Sequence, residues 1–310
     1  MLKEHKQTVG AIMVLFKPDW EVTVKAINAL APQVDELCVV DNTPAADNSS
    51  YCSGFPNIHY IPLGENRGIA AAQNVGIQHF IDLGYDFVVF SDQDSTSPEN
   101  TVSELLKVHD ILSENGVKIA TVGTRAINKQ TGKPYPPKSK EIGSVYDRDA
   151  VAIDDLTECY SVISSMSLTS TKSLTAVGGF DESLFIDGVD HEWCWRAWHK
   201  ASLRSFIAEK AIIYHMLGEG DKSLAGKAIS IPSPFRTYYQ FRNFIWLYHR
   251  ASTPKFWKNK NLKKFIIKFF YFPLFVKPRA KYLCNIINGI KDGFKHKQNG
   301  SWPNFQQKNA

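Results

Sequence analysis

Between residues 9 and 123 short apolar runs alternate with helix-like stretches, and few architectures accept that rhythm. Residues 9–16, 36–40, 58–63, 86–91 and 118–123 read as buried strands, and residues 20–31, 68–83 and 102–112 read as helices. This spacing predicts βαβ units and a mostly parallel central sheet with helices on its faces. It also predicts where ligands bind, because open parallel sheets take them outside the carboxyl ends of their strands. Two of the predicted strands end there in acids, at Asp41 and Asp92.

The rhythm breaks over 125–158, where Pro134, Pro136, Pro137 and many charges suggest an excursion or flexible loop. It resumes with a strand near Tyr160, a Gly178-Gly179 turn, a helix containing 193–199 and a strand over 207–215. Residues 216–234, with three glycines, read as a mobile loop. The predicted layout is a doubly wound N-terminal half at about 1–124 and an acceptor-side half at about 159–250, packed as one unit, with a C-terminal region at 251–310.

Composition excludes several classes. A chain of 310 residues with 44% hydrophobic and 22% charged residues can bury a large core, so general disorder is ruled out. Its five cysteines form no Cys-x-x-Cys pair, which disfavours a disulfide scaffold or a zinc ribbon and suits a reducing compartment. Residues 1–8 are polar and lead into a strand, so no signal peptide is expected.

The net charge of +5 conceals a division. Residues 250–310 hold 14 Lys and Arg against one acid, Asp292, while residues 1–249 hold 22 against 30. An acidic body with a basic C-terminal region implies an anionic partner, either nucleic acid or a membrane surface.

Four stretches carry candidate chemistry. Asp41 can accept a hydrogen bond from a pyrimidine imide, or can simply form a turn. Asp92-Gln93-Asp94 places two carboxylates where they can share a hard divalent cation, or can cap the helix that follows. The stretch from Asn66-Arg67-Gly68 to Asn74 starts a helix with small residues, which suits either a diphosphate at the helix end or close packing on the sheet. Residues 178–196 interleave acids with aromatics, and Asp187, Asp190 and Glu192 there can supply a general base or cap a helix.

Taken in order, Val39-Val40-Asp41-Asn42, the Asn-x-Gly helix start, the Asp-x-Asp turn and Gly178-Gly179-Phe180-Asp181-Glu182 followed by Phe185-Ile186-Asp187-Gly188-Val189-Asp190 resemble the family 2 inverting glycosyltransferases. Asp92-Gln93-Asp94-Ser95 and the run from Phe185 to Cys194 are similar to bacterial rhamnosyltransferases that build surface polysaccharides, O-antigen among them. The resemblance covers about residues 9–250 and implies a GT-A fold with a Rossmann-like sheet. It implies a nucleotide-sugar donor, dTDP-L-rhamnose in the narrower reading, and a glycan or lipid-linked oligosaccharide acceptor. Asp41, Asn66, Arg67, Gly68, Asn74, Asp92 and Arg242 would then face the donor. Asp92, Asp94 and His215 would hold Mg²⁺ or Mn²⁺, although His215 and Arg242 equally suit structural roles. Asp190 aligns with the catalytic base, and Asp187, Glu192 and Trp193 lie on the acceptor side. Relatives more often carry Glu-Asp where this chain has Val189-Asp190, which keeps the base and leaves the neighbouring contact open.

Residues 255–281 interleave lysines with Phe, Ile and Trp, and no apolar run there approaches the ~20 residues that span a bilayer. A basic amphipathic helical segment of this kind suits an anionic membrane surface; the other reading is a helical pair covering the domain. The expected location is cytoplasmic, peripheral on the inner face of the membrane. Three rivals remain: a family 2 enzyme using UDP-hexose, UDP-GlcNAc or UDP-galactofuranose, a nucleotidyltransferase, and a non-enzymatic nucleic-acid binder. The acidic body and strand-end carboxylates count against nucleic acid.

Overall fold

The computed structural model describes residues 6–45, 47–128, 132–135, 155–215, 221–224, 227–295 and 300–306. Its centre is an eight-stranded sheet built from β1 (Val9–Leu15), β2 (Glu36–Asp41), β3 (Ile58–Pro62), β4 (Phe87–Asp92), β5 (Ile119–Asn128), β6 (Leu156–Cys159), β7 (Ser167–Ser170) and β8 (Arg204–His215). The strand order is β3-β2-β1-β4-β7-β5-β8-β6. β1 to β4 are mutually parallel, β7 enters antiparallel between β4 and β5, β8 runs parallel to β5, and β6 closes the edge antiparallel. The mostly parallel sheet expected from the sequence is therefore present, with two short reversed strands that it did not announce.

Alternation along β1 shows how the layers form. Ile12 and Val14 face one core with Ile77 and Phe80 of α2 (Ile69–Asp82 of the chain), whereas Ala11, Met13 and Leu15 face a second core. That second core takes Ala26 and Ile27 from α1 (Trp20–Leu30) and Val102 and Leu105 from α3 (Thr101–Glu114). A period of two on a strand sends successive side chains to opposite faces, so a fully apolar strand must be covered on both. α4 (Thr171–Val177) and α5 (Val189–Ala201) join α2 on its side, and their Val177, Trp193 and Trp195 are buried there.

Parts of the expected loops are ordered strands. β5 runs on to Asn128, and Asp221–Leu224 pairs antiparallel with Lys227–Ser230 as β9 and β10. Residues 136–154, 216–220, 225 and 226 lie outside the described residues.

Three helices complete the chain: α6 (Pro234–His249), α7 (Lys255–Phe275) and α8 (Arg279–Lys295). Phe241 of α6, Phe272 of α7 and Tyr282 and Ile286 of α8 form a third, smaller core. Gly289 lets α8 lie close on α6, since a Cβ there would sit 2.5 Å from the Tyr238 carbonyl oxygen. Residues 300–306 return to the body, where the Ser301 carbonyl accepts from Glu182 N–H at 2.7 Å and Phe305 is buried. The C-terminal region is thus tied into the domain, although α7 leaves Ile266, Ile267, Phe270, Leu274 and Phe275 exposed. Among the described residues no helix is long and apolar enough to cross a membrane. All five cysteines are free, and burial pushes Cys38 and Cys194 up to about 12, so no disulfide holds this fold.

Candidate active site

The carboxyl ends of β2 and β4 deliver Asp41 and Asp92 to one edge of the sheet, in register with Leu15 and Val14 of the strand between them. Asp41 is buried and already engaged. Its carboxylate accepts from Thr43 N–H at 2.9 Å, Asn48 Nδ2 at 2.6 Å and the Tyr60 hydroxyl at 2.7 Å. Burial, reinforced by the Asp41 bond, pushes the Tyr60 hydroxyl up to about 12, so Tyr60 stays a donor at neutral pH. Three of the roughly four acceptor positions of this carboxylate are used within the chain, which ties Thr43, Asn48 and Tyr60 to the strand end.

Asn42 links that strand end to the start of α2. Its side chain donates to Asn66 Oδ1 at 2.9 Å and accepts from Arg67 N–H at 2.7 Å. Gly68, at φ 84°, follows, and a Cβ there would sit 2.6 Å from the Phe185 ring. The first N–H of the helix, from Ile69, donates to the Phe185 carbonyl at 2.8 Å. Close packing, rather than an open helix end, thus occupies this start. Asn74 is likewise committed: its buried amide pairs with the Phe180 backbone and with Glu182, fixing the Gly178–Glu182 turn. The donor role expected for Asn74 finds its hydrogen bonds spent inside the fold. Arg67 remains exposed at the strand-end edge.

The segment before α5 is the most constrained part of the site. Phe185, Asp187 and Gly188 all have positive φ, at 64°, 67° and 88°. Two non-glycine residues in that region are costly and persist only where the surroundings hold them. Here α6 does so. Asn243 Nδ2 lies 2.8, 2.7 and 3.0 Å from the carbonyls of Leu184, Ile186 and Asp187. Arg242 donates to the Ser183 carbonyl at 2.7 Å while its guanidinium lies over the Tyr239 and Trp246 rings, and burial lowers its pKa. Arg242 therefore positions this turn from its buried side.

The turn sets Asp187 and Asp190 beside Arg236, a residue the sequence did not single out. Arg236 makes a two-pronged pair with Asp187, at 2.8 Å on both arms. That hydrogen bonding first, then the charges of Asp187, Asp92 and Asp190, raise its pKa above the ordinary guanidinium range. Asp187 thus pairs directly with this cation, and the charges of Asp92 on β4 and Asp190 in the first turn of α5 act on it from farther away. Asp190 is half-buried, and its Oδ1 accepts from His191 N–H at 2.8 Å. His191 in turn contacts the Ser161 hydroxyl at 2.8 Å and stacks on Trp195.

Two expected acceptor-side residues belong elsewhere. Glu192 is 1% exposed and pairs with Arg196 at 2.9 Å and Arg250 at 3.4 Å. Trp193 is buried and donates its indole N–H to the Gly178 carbonyl at 2.8 Å. Both are core residues because α5 turns their side of the helix inward, so neither meets an acceptor. They hold the Gly-Gly-Phe-Asp-Glu turn together with Asp181, which is fully buried against Arg250 and accepts from Ser301 N–H.

Asp92 is half-buried and Asp94 exposed on the following turn, while Gln93 between them is fastened to the backbone of Phe16. Two hard oxygen donors fit a divalent cation that completes its shell with diphosphate oxygens and water. His215 ends β8, but its side chain lies outside the described residues. Among the described residues, one group of three converging ligands occurs, Glu36, His59 and His79, at the opposite ends of the strands. A cavity of about 590 Å³ is lined by Glu192, Arg196, Lys200, His249 and Arg250, along the side of α5 that meets the C-terminal residues.

Comparison with known proteins places this arrangement. The model of glycosyl transferase family 2 matches residues 11–175. The chain is 32% identical over 251 residues to the dTDP-rhamnosyl transferase RfbF of Shigella flexneri, covering 79% of this chain and 81% of that protein. Among solved structures it is similar to S. aureus TarS, with TM-score 0.57 and 17% identity over 93% of this chain and 49% of TarS, so it spans about half of that longer protein. TarS residues 1–349 in complex with UDP-GlcNAc match with TM-score 0.56 and 17% identity, over 93% of this chain and 81% of that one. GalNAc-T7 with UDP, GalNAc and Mn²⁺ matches with TM-score 0.55 and 11% identity, over 91% and 55%.

Proposed function

The chain belongs to glycosyl transferase family 2 and has the GT-A fold, and from that premise we propose that it transfers L-rhamnose from dTDP-L-rhamnose to a hydroxyl of a lipid-linked glycan. The product is an O-antigen or related surface polysaccharide. The donor reading is supported by the relationship to RfbF. The chemistry is supported above all by the two-pronged pairing of Arg236 with Asp187, three residues before Asp190, on a turn held by α6.

In this reading Asp190 takes the proton of the acceptor hydroxyl as that oxygen attacks the anomeric carbon of the donor. The carbon–oxygen bond to the nucleoside diphosphate breaks on the opposite face, and configuration inverts without a covalent enzyme intermediate. Asp92 and Asp94 would hold Mg²⁺ or Mn²⁺, which when bound would neutralise charge on the leaving diphosphate. Arg236 adds a cation on the same edge, released from Asp187 when the diphosphate competes for it. Asp41, Asn66, Arg67 and Gly68 frame the nucleotide side, and Arg242 acts through the 183–187 turn. Residues 1–250 form the catalytic domain, with donor and acceptor halves meeting at this edge.

The C-terminal helices dock on the anionic inner face of the cytoplasmic membrane. Leu262, Ile266, Phe270 and Leu274 recur every fourth residue and are all exposed, forming one apolar stripe along α7 beside exposed Lys263 and Lys264. Lys268, on the opposite face of the same helix, donates to Gln240 of α6 at 2.8 Å, so α7 packs on α6 through one side and leaves the stripe turned outward.

The test is a donor panel of dTDP-L-rhamnose, UDP-GlcNAc, UDP-galactose and UDP-galactofuranose, scored by release of nucleoside diphosphate with Mn²⁺ and lipid-linked acceptor. Turnover with dTDP-L-rhamnose is expected to exceed the others. Turnover with another donor alone would replace the sugar and leave the family standing.

A further inference from the structure

We propose that Glu36, His59 and His79 form a second metal site, structural in role and specific for Zn²⁺-like transition ions, at the foot of the sheet. Glu36 opens β2 in register with Gly10, whereas Asp41 closes the same strand. Five residues of strand separate them, about 16 Å, so this cluster is distinct from the candidate active site. Topology brings the three together. His59 of β3 is the register partner of Cys38, two residues beyond Glu36, which puts both side chains on the sheet face that α2 covers. His79 comes from the last turn of α2.

The ligand atoms of the three residues all lie within 4.8 Å of one another. His79 Nε2 contacts Glu36 Oε1 at 2.5 Å, and the His59 and His79 rings stack at 4.3 Å with 13° between their planes. The Tyr85 hydroxyl reaches the second Glu36 oxygen at 3.5 Å. A histidine in the last turn of a helix is favoured by the helix dipole, which accounts for His79. It does not account for a second imidazole stacked on the first beside the same carboxylate. Two imidazoles and a carboxylate match the donor set of Zn²⁺, Co²⁺ or Ni²⁺, whereas Mg²⁺ and Mn²⁺ prefer all-oxygen shells. His59 is exposed, so one side of the site is open to a water ligand. Donors about 2.0–2.2 Å from a tetrahedral ion lie about 3.3–3.5 Å from one another, so binding would open the His79–Glu36 contact and draw the farther donors inward. The bound ion would clip β2, β3 and α2, elements otherwise joined there by strand pairing and apolar packing.

The experiment uses the full chain, free of any purification tag and stripped with chelator. Co²⁺ is titrated while visible d–d absorption is followed, and Zn²⁺ binding and melting temperature are measured in parallel. One equivalent is expected to bind with a tetrahedral or five-coordinate spectrum, and Zn²⁺ at 100-fold over its Kd should raise Tm by about 4 °C. Both signals should persist in Asp94→Asn and weaken at least tenfold in His59→Ala, an exposed position whose loss leaves the core intact. Unchanged Zn²⁺ affinity in His59→Ala, or loss of the signal in Asp94→Asn instead, would overturn the proposal.

Discussion

Arg236 and Asn243 lie in the first and third turns of α6 and divide the work of the site between charge and position. Arg236 is half exposed, touches Asp187 only through its guanidinium, and faces the charges of Asp92 and Asp190. Arg236→Ala should leave the melting temperature near that of the parent and lower transfer at least about tenfold, the loss of one charge-assisted contact in the transition state. Unchanged kcat/KM would remove Arg236 from the reaction. Asn243 is buried and serves three carbonyls of a turn with two strained residues. Asn243→Ala should therefore cost about 2–3 kcal/mol of stability, measured by denaturant unfolding, and also reduce transfer. Neither role is visible in the sequence, because each depends on a segment some fifty residues away. The sequence singles out Asp187 and Asp190 as candidates by their own neighbourhood, but not the Arg236 that pairs with Asp187. Glu192 and Trp193 misled for a related reason: a motif rich in acids and aromatics does not reveal which helix face turns inward.

At the scale of elements, the alternating runs foretold β1 to β5 and α1 to α3 with small shifts at their ends, since apolar strands buried on both faces leave a plain trace. β7 left none. Ser167–Ser170 is four residues long and mostly hydroxylic, and its place between β4 and β5 is set by pairing alone. The helix α7 carried a mixed signal for a physical reason. Phe272 faces the third core while the stripe from Leu262 to Leu274 faces outward, so one helix answers to both packing and surface. Replacing Ile266, Phe270 and Leu274 together by Glu should reduce co-sedimentation with anionic vesicles at least about tenfold and leave the fold intact, because all three are exposed. Equal sedimentation of parent and variant would show that the stripe does not meet lipid.

For the whole molecule, the division between an acidic body and a basic C-terminal region is a division of charge and not of structure. Asp181 meets Arg250, Trp302 lies 4.1 Å over Arg196, and Gly179 N–H donates to the Pro303 carbonyl, so the last residues brace the turn that leads to Asp187 and Asp190. Removing residues after 250 would expose these partners, and surface substitutions on α7 are the cleaner probe of membrane contact. The strained turn and the brace serve one arrangement: Asp187 paired with Arg236, and Asp190 held three residues on at the start of α5. In the proposed reaction Asp190 is the base that activates the acceptor. The direct measurement compares Asp190→Asn with the parent for both sugar transfer and equilibrium binding of the nucleotide-sugar donor. Transfer should fall by about 10²–10⁴-fold or more with donor affinity unchanged; turnover near that of the parent would contradict the assignment.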